Sequence, residues 1–108
     1  MSLRDDRQSV VDKTQADGSQ VITPADRSAR FHQLQLEVSG PPSAGTLAVG
    51  LKTPGANKYV EVGTIDMTDG EDYLQIFEGF AESIRLAPAG FDAGLTWSAY
   101  VYSTDGVR

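Results

Sequence analysis

Between Lys58 and Arg85 the chain carries seven carboxylates and no basic residue: Glu61, Asp66, Asp69, Glu71, Asp72, Glu78 and Glu82. Carboxylates at such density suit Ca²⁺ binding or paired acid and base catalysis. Asp69, Glu71 and Asp72 share one turn. An EF-hand loop, however, sets acids at alternate positions and closes on a Glu, and that spacing is missing here. Most of the acids fall on the polar side of short alternating runs or in turns, which is the pattern of a solvated acidic face. His32 is the one histidine, and cysteine is absent. A Cys–His pair is therefore excluded, and no serine stands in a Gly-x-Ser-x-Gly turn. His32 alternates in phase with Leu34 and Leu36, which predicts a packed ring rather than a general base. The residue inventory argues against a hydrolase, and we expect no enzyme activity, no catalytic residue, no cofactor and no metal.

The aromatic residues point elsewhere. Tyr73 and Phe77 alternate against Leu74 and Ile76, Tyr100 and Tyr102 against Trp97 and Val101, and Tyr59 against Val60. With the aliphatic residues inward, an aromatic-rich second face is expected around Tyr73, Phe77, Tyr100 and Tyr102. Aromatics with a polar tip are enriched at protein interfaces, and their rings also make platforms for sugars. The plainer alternative is cross-strand pairing that only stiffens the sheet.

The elements that must position these side chains are strands. Gln33, Gln35 and Glu37 alternate with Leu34, Leu36 and Val38, the period of a half-buried strand. Runs of the same kind cover Val21–Thr23, Ala29–Val38, Thr46–Thr53, Tyr59–Met67, Tyr73–Phe77, Phe80–Ala87 and Leu95–Thr104. Gly63 interrupts the fourth of them: Val60 and Val62 share a face before it, Ile65 and Met67 after it, so a bulge is expected there. Pro24-Ala25-Asp26, Ser39–Gly45, Pro54–Asn57, Thr68–Asp72 and Pro88–Gly94 read as turns, and Asp105-Gly106 closes the domain. The spacing predicts an all-β fold: an antiparallel β-sandwich, jelly-roll or Ig-like, of about seven or eight strands over residues 21–108. Its inner face is expected to hold Leu34, Leu36, Leu47, Val49, Leu51, Leu74, Ile76, Ile84, Leu86, Trp97 and Val101.

Residues 1–20 differ in composition. Charges of both signs mix with Ser, Gln and Thr, and only Leu3, Val10 and Val11 are sizeable apolar groups. Such a segment buries too little surface to offset its ordering entropy alone. It reads as an extended N-terminal arm, with a short helix over Arg4–Lys13 as one option. The arm is expected to dock through Leu3, Val10 and Val11 on a neighbouring subunit or on a larger assembly rather than on its own core. The start has no apolar stretch of the signal-peptide kind, and no run is long enough to span a bilayer. With nine basic residues against fifteen acidic ones the net charge is −6. That balance disfavours nucleic acid and anionic membranes as partners and favours solubility.

Three stretches carry a family resemblance. They are Gly45-Thr46-Leu47-Ala48-Val49-Gly50-Leu51-Lys52, Val60–Asp66, and Ser83-Ile84-Arg85-Leu86-Ala87-Pro88-Ala89-Gly90-Phe91-Asp92-Ala93-Gly94-Leu95-Thr96-Trp97. Together they resemble small β-sandwich structural proteins of tailed phages, of the capsid decoration, head-fibre or minor capsid type. The last stretch is the most similar, with its Ile-Arg-Leu run, Pro/Gly loop and Thr-Trp before a closing strand. The resemblance covers about residues 29–104. It implies a virion protein, made in the bacterial host cytoplasm and carried on the capsid surface. Its partners would be the major capsid protein or another virion protein, with homo-oligomers, commonly trimers. A carbohydrate-binding β-sandwich module is the alternative reading. Physically, Gly90 and Gly94 let the loop turn back, so that Ile84 and Leu86 can meet Leu95 and Trp97 in one core.

Overall fold

The computed structural model of the protein describes residues 5–24 and 29–104, with side chains from residue 7 onward. Eight strands lie within the described residues: β1 (Asp5–Lys13), β2 (Gln20–Ile22), β3 (Phe31–Val38), β4 (Thr46–Lys52), β5 (Val60–Asp66), β6 (Leu74–Glu78), β7 (Ser83–Ala89) and β8 (Trp97–Thr104). Among the described residues, helix is confined to single 3-10 turns at Gln15–Asp17 and Gly70–Tyr73. The strands form two four-stranded sheets, in the orders β1-β8-β3-β6 and β2-β7-β4-β5. Every pairing is antiparallel. The first strand pairs with the last, the second with the seventh, the third with the sixth and the fourth with the fifth. The chain thus runs as one long hairpin, bent at β4–β5 and rolled until β8 meets β3 and β7 meets β4.

Alternation decides what lies between the sheets. Leu34 and Leu36 from β3, Leu47, Val49 and Leu51 from β4, Ile84 and Leu86 from β7, and Trp97, Ala99 and Val101 from β8 are all buried. Each such aliphatic side chain contributes roughly 1.5–3 kcal/mol on full burial. Ile65 and Met67 join them from beyond the Gly63 slip. The slip is a real bulge: Val49 faces Gly63 but Gly50 faces Glu61, which leaves Val62 unpaired. Phe91 sets its ring edge-on to Trp97, with centroids 6.2 Å apart. The Pro/Gly loop therefore caps the core, as the backfolding of residues 88–94 predicts.

Two expectations are corrected. Leu74 and Ile76 are not in the core; they are 54% and 67% exposed. Tyr73 and Phe77 turn inward instead and pack against it. Both phases of this run are apolar, so alternation alone does not choose between them. Gly63 makes the choice. A Cβ at that position would lie 2.5 Å from Phe77 Cε1, so the missing side chain leaves room for the Phe77 ring. Tyr73 in turn donates its hydroxyl hydrogen to the Met67 carbonyl at 2.6 Å.

The second correction concerns the N-terminal segment. Residues 5–13 are not helix; they are β1, laid along β8 of the same chain from Asp5↔Thr104 to Lys13↔Trp97. A polar edge strand needs few apolar groups, because the ladder satisfies its backbone and one face stays wet. Val10 alone supplies the core contact, and Val11 is exposed. Beyond Val10 the register shifts, with Asp12 at φ 55° donating its N–H to Ser98 Oγ at 3.0 Å. Leu3, Ala25, Asp26 and Asp105-Gly106 lie outside the described residues.

Candidate binding surfaces

The groups singled out for chemistry are largely engaged in holding the fold. His32 is 1% exposed, in phase with Leu34 and Leu36 as expected. Its Nε2 lies 2.8 Å from the Gly79 carbonyl and its Nδ1 2.8 Å from Ser103 Oγ. A carbonyl only accepts, so Nε2 carries the hydrogen; Nδ1 of the neutral ring then accepts from the serine hydroxyl. Burial pushes the His32 pKa below its ordinary 6.5, against a smaller upward pull from the Gly79 carbonyl. Above pH 6.5 both native and unfolded rings are neutral, and the site stabilises in full. As pH falls through 6.5 the unfolded chain takes a proton that the buried ring refuses, and stability declines until the native pKa is reached. Urea melts between pH 7.5 and 5 should show this slope, and His32→Phe should flatten it. An equal slope in both proteins would contradict the assignment.

The acids are spread along turns and edges. Asp66 accepts from the backbone N–H and the hydroxyl of Thr68, and these bonds lower its pKa. Asp69 caps the 3-10 turn by accepting from the Glu71 N–H. Asp92 accepts from the side chain and backbone of Ser43, which lowers its pKa and ties the Ser39–Gly45 loop to the Pro/Gly loop. Among the described residues no three His, Asp or Glu side chains gather as a cation site.

Three surfaces remain. The outer face of the β1-β8-β3-β6 sheet is built in cross-strand rows. One runs Ser9–Tyr100–Gln35–Leu74 and the next Arg7–Tyr102–Gln33–Ile76. A trough of about 310 Å³ lies over β8 between these side chains. Of the expected aromatic set, the structure brings only Tyr100 and Tyr102 together on this face. Tyr73 and Phe77 belong to the core side, as above. Arg7, Ser9, Gln33 and Gln35 were not singled out from the sequence. For the glutamines the signal was there, as the polar partners of Leu34 and Leu36; for Arg7 and Ser9 it was hidden by reading their segment as an arm.

On the other sheet, Tyr59 lies across Gly50, whose Cβ position is 3.3 Å from the Tyr59 Cβ. Arg85 and Lys52 stand over its ring at 4.9 and 5.6 Å, and its hydroxyl meets Ser83 Oγ at 2.6 Å. Lys52 also pairs with Glu82 at 3.1 Å. These contacts gather Lys52, Ser83 and Arg85 around the Tyr59 ring, and Arg85 Nε is left buried without a hydrogen-bond partner among the described residues.

The third surface is the flank where the edge strands β5 and β6 meet. Val60, Val62 and Phe80 line one groove with Lys58 and Glu78. Leu74 and Ile76 stand on β6 next to it and face the outer side of the β1-β8-β3-β6 sheet, beside Gln35 and Gln33. These five account for most of the large apolar side chains that are exposed among the described residues. An apolar cluster of this kind marks an interaction site more often than scattered exposed residues do.

No family model matches the chain, and no curated protein sequence matches it. Solved structures do. The crystal structure of the Yersinia pseudotuberculosis-derived mitogen is 10% identical, with a TM-score of 0.56, over 99% of this chain and 91% of the mitogen chain. The acidic stable capsid structure of Helicobacter pylori bacteriophage KHP30 contains a chain 12% identical, with a TM-score of 0.53, over 96% of this chain and 88% of its own. At such identities the likeness is one of fold. Among the described residues no helix is long and apolar enough to cross a membrane. The protein is a small all-β domain of two four-stranded antiparallel sheets, with structural neighbours in a phage capsid and a bacterial mitogen.

Proposed function

We propose that the protein is a non-enzymatic structural component of a phage virion, a capsid decoration or minor capsid protein that binds the capsid lattice. The rolled-hairpin pairing is read here as a jelly roll, an eight-stranded double sheet frequent in viral capsid and lectin domains. The likeness to a chain of the KHP30 capsid, which extends over nearly the whole domain, supports that choice. The observation that carries the reading is the apolar flank of β5 and β6. Val60 is 68% exposed and Ile76 67%, on edge strands whose outer backbone groups have no ladder partner among the described residues. Edge strands left this apolar invite association, and closed symmetry limits it to a defined oligomer. The flank is the contact between copies, in a trimer, and between the trimer and the major capsid protein.

Light scattering tests the flank. The purified chain is expected to run as an oligomer, and the double variant Val62→Asp/Ile76→Asp as a monomer with an unchanged circular dichroism spectrum. Both side chains are exposed, so the fold should lose no more than about 0.5 kcal/mol. A wild-type protein that stays monomeric at high concentration removes the support for this interface.

A further inference from the structure

We infer that the trough over β8 is a carbohydrate site, which takes a neutral oligosaccharide along the row of Tyr100 and Tyr102. This goes beyond the virion reading and rests on residues other than Val60, Val62 and Phe80, although its rows run on to Leu74 and Ile76 of β6. The register places Arg7 and Gln33 on either side of Tyr102, and Ser9 and Gln35 on either side of Tyr100. Successive outward positions on one strand are roughly 7 Å apart and neighbouring strands about 4.8 Å, so the two phenol rings form a line fenced by polar side chains. The trough, about 310 Å³, falls at the lower end of the size of small-ligand sites.

The chemistry selects the ligand. A primary amide both donates and accepts, which suits the hydroxyl groups of a sugar. Tyr rings give an apolar surface for the C–H faces of a pyranose, and their hydroxyls stay in hydrogen-bond reach of water or ligand. The lining side chains include one cation, Arg7, and no acid, in a chain of net charge −6. A polyanion would meet the repulsion of the whole molecule, and a cation would meet no carboxylate among the described lining residues, so the complementary ligand is uncharged. A peptide strand is also disfavoured. The floor of the trough is β8, a central strand paired on both sides by β1 and β3, so no main-chain ladder is open to it. The apolar flank and the polar trough therefore suit different partners: protein at one, glycan at the other.

The test is a panel of immobilised neutral oligosaccharides of glucose, galactose, mannose and N-acetylhexosamine, probed with the fluorescently labelled full chain. The best binder is then titrated by calorimetry. Binding is expected to fall at least tenfold in Tyr102→Ala and in Gln33→Ala, each checked for an unchanged melting temperature. Tyr102→Phe keeps the ring and should retain most of the affinity. Lys58→Ala and the flank variant Val62→Asp should leave it unchanged. Failure to retain any neutral oligosaccharide overturns the proposal, as does binding that Tyr102→Ala and Gln33→Ala leave intact. If no sugar binds and Tyr102→Ala instead abolishes self-association, the trough is a contact between copies, and the proposal is equally overturned. Loss of oligomers in Val62→Asp with sugar binding intact would support both surfaces independently.

Discussion

Trp97→Ala is expected to destabilise the fold by about 3–5 kcal/mol, the range for truncating a buried Trp. Trp97 is 1% exposed at the start of β8, where Phe91 packs edge-on against it at 6.2 Å. Truncation would empty the centre of the sandwich and leave the Pro/Gly loop without the ring on which it sits. In a domain of this size that corresponds to a fall of roughly 15–30 °C in Tm. The indole Nε1 has no hydrogen-bond partner although it is buried. Trp97→Phe removes that orphan donor along with part of the volume, so it should cost less than half as much as the alanine variant. Chemical denaturation of the three proteins gives both numbers. A loss below about 1.5 kcal/mol for Trp97→Ala would mean that the site collapses freely and is not the core's centre.

Gly45→Ala should cost about 2–4 kcal/mol, from backbone strain and overpacking together. Gly45 sits at φ 113°, a conformation that L side chains rarely adopt. A Cβ there would lie 2.8 Å from Phe91 Cδ1, and 3.1 and 3.2 Å from the Gly90 and Ala89 carbonyl oxygens. A ring can rotate away, but backbone oxygens cannot move without disturbing the β7 end. Gly55→Ala is the internal control: its φ is 89° and nothing lies within 4 Å of the added methyl, so it carries strain alone. The difference between the two measures the contact. Adding Phe91→Leu to Gly45→Ala should recover only the ring's share. Equal losses at positions 45 and 55 would show that the close approach of the two loops contributes nothing.

These sites also show which features the residues announce and which they hide. The strands β3, β4, β7 and β8 are readable because the inner face of each is mainly apolar, as with Leu34 and Leu36 against Gln33 and Gln35. The bulge at Val62 was readable from the slip in alternation around Gly63. The orientation of β6 was not. Leu74 and Ile76 compete with Tyr73 and Phe77 for the core, and Phe77 lies against Gly63, where any side chain would clash with its ring. β1 was hidden for a different reason. Its stability comes from backbone pairing with β8, and composition does not record backbone pairing. Gln15 was equally invisible. Its side-chain amide donates to the Pro88 carbonyl at 3.0 Å and accepts from the Phe91 N–H at 3.0 Å, holding the end of β7 beyond the Gln20↔Leu86 pair at which β2 begins. The proposed trough is half legible: alternation puts Tyr100 and Tyr102 on the outer face, while the flanking Arg7 and Ser9 belong to β1, which composition does not announce as a strand.

The virion reading is tested most directly by mass spectrometry of gradient-purified phage particles from the source that encodes the chain. Peptides of this protein should be present at a fixed stoichiometry to the major capsid protein. They should be lost from particles assembled with the Val62→Asp/Ile76→Asp variant. A protein absent from purified particles, while abundant in the same lysate, would contradict the account.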